Sequence, residues 1–172
     1  GEWYENLEIF SDEARKAGKP FWAFALTTAH TPYPIPDLAQ LRFQVYSDLA
    51  YGAQGIQYFT YWTPGKNPNW NFHHGPIGLD GKRTDVYDKI KTMNEEIKAL
   101  SGVFLGSEVI AVNHTGDTIP QGTRRLEELP EGVKYLETEG PGAVVSQLRN
   151  GDNRFLVIVN RDFRKRMKLT IG

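Results

Sequence analysis

Residues 20–30, PFWAFALTTAH, and residues 55–62, GIQYFTYW, are short apolar runs rich in aromatics. Between them, after a proline-rich loop, stands residues 37–54, DLAQLRFQVYSDLAYGAQ. The two runs are bounded by Gly or Pro, as buried strands are. Their near-continuous apolar character suits a parallel sheet covered on both faces. In the middle segment Leu38, Leu41, Val45, Leu49 and Ala53 share one helical face. Asp37 is a good N-cap, and Gln40 three residues on completes a capping box. A strand, a crossover helix and a strand make a βαβ unit with an expected right-handed connection.

Outward from this unit, Leu7, Phe10, Ala14 and Ala17 recur at helical steps over Tyr4 to Ala17. Gly18 follows as a C-cap and Pro20 forbids continuation. Strands are expected over Phe21 to Thr27 and Ile56 to Trp62. The Thr63 to Arg83 stretch, rich in Gly, Pro and Asn, is long enough to predict a binding loop or lid. Thr84 should cap a third helix with a stripe of Val86, Ile90, Met93, Ile97 and Leu100. After Gly106 the pattern changes to consecutive strands. Val109 to Val112 is short, Thr115 to Pro141 is irregular, and Ala143 to Leu148 and Phe155 to Asn160 flank the hairpin signal Asn150-Gly151-Asp152-Asn153. Met167 to Ile171 begins another strand. The switch predicts a domain boundary near Gly106, giving units 1–106 and 107–172, the second antiparallel.

The 172 residues carry a formal net charge of -1, which gives no electrostatic case for nucleic acid or an anionic membrane surface. The longest apolar runs are far too short to span a bilayer. There are no cysteines, so disulfides and thiolate chemistry are excluded. The opening Gly1-Glu2-Trp3 has no signal-peptide character and is expected to be either an artificial expression start or a cut within a longer chain. Four Trp and eight Tyr suit either a carbohydrate-binding surface or an ordinary core. The Lys and Arg cluster from Arg161 to Lys168 reads as a solvated turn.

GKPFWAF (18–24) followed by LRFQVYSDLAYGAQGIQYFTYW (41–62) resembles the end of the catalytic barrel in clan A glycoside hydrolases, nearest to the β-galactosidase-like branch, family 42. The match covers about Trp3 to Gly106. The resemblance implies an α/β fold: the C-terminal portion of a (β/α)8 TIM barrel, followed by part of an antiparallel β-sandwich-like domain. A whole barrel takes about 250 residues, so the chain would be a fragment. It implies hydrolysis of O-glycosidic bonds in an oligo- or polysaccharide, and a periplasmic, extracellular or cell-surface location. Retaining glycosidases use two carboxyl groups about 5 Å apart. The family's acid/base strand is not in this chain, and the position matching its nucleophile is Ala25. No Asp or Glu occurs between Ala14 and Pro36. No catalytic residue can therefore be assigned. The alternative is a catalytically inactive sugar-binding barrel.

Six residues are candidates for contact with sugar. By the resemblance, Trp62 ends the last barrel strand, at the face where barrel active sites collect. It either stacks on a sugar ring or caps the core, while Tyr58 and Thr60 on the same strand face would fill the barrel interior. His30 and Tyr33 leave the neighbouring strand on the same side. Trp70 is either a stacking lid or packing under its own loop. His73 and His74 either hydrogen-bond sugar hydroxyls or are solvated loop residues. No third ligand stands at a recognisable spacing beside them, so neither a metal nor another cofactor is expected. Asp80 and Asp85 are the carboxylates nearest this mouth, and Asp85 reads as a helix-dipole partner.

Overall fold

The computed structural model describes residues 2–172. The strand, capped helix and strand of residues 20–62 form as read. Strand β1 (Trp22–Leu26) and β2 (Gly55–Phe59) pair in parallel, with Trp22 opposite Gly55 and Leu26 opposite Phe59. Helix α2 (Leu38–Ala50) crosses between them after α1 (Trp3–Ala17). The Asp37 side chain accepts from the Gln40 amide (2.7 Å), and the Gln40 side chain accepts from the Asp37 amide (2.8 Å). Two of the four orphan donors at the helix start are thereby satisfied. The strands end one and three residues earlier than expected, at Leu26 and Phe59. The Phe59 carbonyl accepts from both the Thr27 and the Thr28 amide, which closes the ladder.

Helix α3 (Asp85–Ala99) starts on Thr84, whose hydroxyl accepts from the Val86 amide, and buries Val86 and Met93. A short α4 (Ser101–Phe104) follows. Then come β3 (Glu108–His114), β4 (Leu136–Thr138), β5 (Ala143–Asn150), β6 (Asn153–Asn160) and β7 (Leu169–Ile171). The hairpin signal is a two-residue turn with Asn150 opposite Asn153 and a left-handed Gly151. The second sheet runs β3-β5-β6, all antiparallel, and β4 pairs with β7 in a third.

This architecture replaces the expected one. Among the described residues there are four helices and three small, mostly antiparallel sheets, and none closes into a barrel. A partial TIM barrel followed by a sandwich is therefore not the fold. Closure requires about eight strands whose tilt and stagger agree. Here the parallel ladder stops at two strands, and every later strand returns by a hairpin or loop, so it pairs antiparallel. The antiparallel sheet packs on helices instead of on a second sheet. Leu148 of β5 joins Ala25, Leu41, Val45, Leu49, Met93 and Phe104 in one buried cluster. Val144 and Val159 join Tyr4, Leu7 and Tyr51 in another. Helix α2 thus lies between the two sheets. Tyr58 does not fill a barrel lumen. It points towards the helices and donates to Asn94 Oδ1 at 2.8 Å. The opposite face of the parallel pair leaves Trp22 64% and Phe24 59% exposed.

Candidate functional site

Both long loops leave from the C-terminal ends of neighbouring parallel strands, and the backbone stitches them together. The Thr31 amide donates to the Trp70 carbonyl (2.9 Å), and the His73 amide donates to the Ala29 carbonyl (2.9 Å). Threonines fix the floor beneath. Thr28 and Thr60 share a hydroxyl contact of 3.0 Å. The Thr63 hydroxyl donates to the Ile77 carbonyl (2.7 Å) and accepts from the Gly75 amide (2.9 Å). A Cβ at Gly75 would stand 2.5 Å from Thr28 Oγ1 and 2.9 Å from Thr63 Oγ1. Glycine is what allows the second loop to settle on the first strand. Gly75→Ala should therefore displace the loop and weaken any ligand held by Trp70, with little effect on global unfolding. Loop-amide NMR shifts and ligand titration check this. Unchanged loop shifts would contradict it.

Above this floor, aromatic rings gather around His30, which is only 6% exposed. Ring centroids lie 5.0 Å away for Tyr33, 5.2 Å for Phe72, 5.7 Å for Phe59 and 6.1 Å for Trp70. Tyr33 and Trp70 are each 48% exposed and form the open side of the box. His30 Nδ1 lies 2.8 Å from the Thr28 carbonyl, so Nδ1–H donates there and Nε2 is the nitrogen left for a ligand. His73 repeats the arrangement, with Nδ1 2.7 Å from the Asn71 carbonyl and the side chain exposed. Both rings are thus anchored through Nδ1 and leave Nε2 to meet a hydroxyl. Asn71 and His74 have left-handed backbones, φ 44° and 53°, in the middle of this loop. Such strain in non-glycine residues persists where surrounding contacts over-determine it.

The other candidates lie apart from the box. His74 turns to α3, where its Nε2 contacts Asp85 Oδ1 at 2.5 Å while Lys89 donates to Oδ2 at 2.8 Å. Hydrogen bonds from Lys89 and then His74 hold the Asp85 carboxyl down at about 2. That carboxylate is ionised and already occupied, which suits neither a general acid nor a free nucleophile. Trp62 is 53% exposed and lies three residues beyond the strand end. It bridges Ile77 and sits against the Gly81 turn. It belongs to the far end of the same loop, and none of its ring contacts joins the box among the described residues. Phe59 and Phe72 are box members that the sequence reading passed over. The alternation Trp70-x-Phe72 is the signal that could have found Phe72.

Ala25, the position matched to a nucleophile, is fully buried against α2. A carboxylate there would lie in the core and not in the mouth. No three His, Asp or Glu side chains come together to hold a metal ion among the described residues. No helix among them is long and apolar enough to cross a membrane. No protein-family model matches the chain, and neither a curated protein nor a solved structure is significantly similar to it.

Proposed function

We propose that this chain recognises carbohydrate, as the sugar-contacting part of a carbohydrate-active protein, and does not itself hydrolyse glycosidic bonds. One observation carries the reading: two loops bonded to each other by backbone present half-exposed Tyr33 and Trp70 beside imidazole nitrogens. A flat apolar ring covers the C–H face of a pyranose, and fixed polar atoms orient its hydroxyls, the mixture expected of a small-molecule site. The resemblance of residues 18–62 to glycoside hydrolases points to the same ligand class.

A second reading, a glycoside hydrolase whose carboxylates come from outside these residues, rests on that resemblance. Glycoside hydrolysis needs a pair of carboxyl groups flanking the bond. Ala25 offers none, and Asp85 is consumed by His74 and Lys89. The purified chain should therefore show no turnover of aryl-glycosides. Turnover that is lost on mutating a residue within the chain would refute the non-hydrolytic reading.

A further inference from the structure

Strand β6 is the edge of its sheet. It bonds to β5 along its whole length, from Asn153 opposite Asn150 to Asn160 opposite Ala143, and among the described residues no strand pairs with its other side. An open groove of about 690 Å³ runs along that free side. All six consecutive residues from Phe155 to Asn160 line it. Successive strand residues point to opposite faces, so a groove touched by every one of them looks onto the strand's backbone edge. The facing wall is a helical stripe of α2, Ala39, Arg42, Phe43 and Tyr46, closed at one end by Phe104. Natural proteins protect such edges with charge, proline or a bulge, and the stretch Phe155 to Val159 has no charge and no proline.

The C-terminal end of the groove is basic and ordered. The Asn160 side chain donates to the Lys165 carbonyl (2.7 Å) and accepts from the Asp162 amide (2.9 Å). Asp162 in turn accepts from the Arg164 amide (2.9 Å). This turn displays Arg164, Lys165 and Arg166, all exposed, and none of them forms an ion pair among the described residues. Arg42 is already neutralised by Glu96 at 2.5 Å, so the excess positive charge sits at the turn.

We infer that this groove takes an extended segment of another protein as an added strand, antiparallel to β6, with apolar side chains at alternate positions and acidic residues at its N-terminal end. Antiparallel pairing brings that end to the Arg164–Arg166 turn. The free amides and carbonyls of β6 supply affinity and the α2 wall supplies side-chain selection, as in strand-addition recognition.

The test titrates a fluorescent peptide, with an acidic N-terminal end followed by alternating valine and threonine, into the intact chain. Saturable binding is expected. It should weaken several-fold in the triple variant Arg164→Glu, Lys165→Glu, Arg166→Glu and with added salt, and it should slow amide exchange in β6. The same peptide N-methylated along its pairing edge should fail to bind the unaltered protein, a control that does not depend on any variant folding. Equal binding of the methylated peptide, or indifference to the charge reversal in a folded variant, overturns the inference. So does sedimentation showing that the chain buries this groove by pairing with itself.

Discussion

Replacing Asp48 with Asn should stabilise the chain at pH 8 by on the order of 5 kcal/mol and change little at pH 4. Asp48 lies on the buried side of α2 with no exposure, and among the described residues neither carboxylate oxygen has a hydrogen-bond partner. Burial pushes its carboxyl from 3.8 up to about 8. The folded chain therefore holds a proton that the unfolded chain has released across that whole interval. Stability falls as pH rises through it, at up to about 1.4 kcal/mol per unit. His114 acts in the opposite sense. Burial first, and then Arg161, push its ring from 6.5 down to about 3, so its contribution is full above 6.5 and lost as pH falls. Between roughly pH 4 and 6.5 the two slopes offset each other. Glu8, raised foremost by burial, adds a slope of the same sign as Asp48. The wild-type chain should thus be most stable on a plateau in this window and weaken by about 2 kcal/mol towards pH 8. In Asp48→Asn the decline above pH 6.5 should disappear. Urea melts across pH 4 to 8 measure both curves. A variant that tracks the wild type in parallel would show that Asp48 is ionised and solvated in the fold.

Leu41→Ala should cost about 2–5 kcal/mol, the range for a buried leucine whose cavity cannot collapse. Leu41 is fully buried in the cluster that holds Ala25 of β1, Met93 of α3 and Leu148 of β5. Its removal opens a void where α2 meets both sheets. Amide exchange should accelerate in β1 and in β5 together. A loss confined to one of them, or a cost below about 1 kcal/mol, would mean that the helix does not couple the sheets in this way.

The sequence made the local units legible and left the long-range ones dark. Asp37 and Gln40 announce α2, Thr84 announces α3, and Asn150 to Asn153 announce the hairpin, because each is a short-range hydrogen-bonding or backbone requirement. The barrel did not follow. A βαβ motif specifies one parallel pair and its crossover, and it carries no information on how many strands complete the sheet. The β4–β7 pairing joins two three-residue strands far apart in sequence, with no turn between them to signal contact. The same holds for the buried chain from Glu8 through the Tyr51 hydroxyl (3.1 Å) to His114 Nε2 (2.7 Å). No short-range signal around His114 marks it for that contact. In the candidate site, His30, Tyr33 and Trp70 could be gathered because their loops leave neighbouring strand ends. Trp62 could not be separated from them until the turn at Gly81 was seen to hold its ring.

The most direct test of carbohydrate recognition is calorimetric titration of the chain, and of its Trp70→Ala and Tyr33→Ala variants, with a panel of neutral oligosaccharides. Both rings are half-exposed, so their truncation leaves the folded core intact. At least one oligosaccharide should bind, and each variant should lose roughly 1–3 kcal/mol of affinity, the scale of ring stacking measured on nucleic-acid bases. Absence of binding to every sugar in the panel, or unchanged affinity in both folded variants, would contradict carbohydrate recognition.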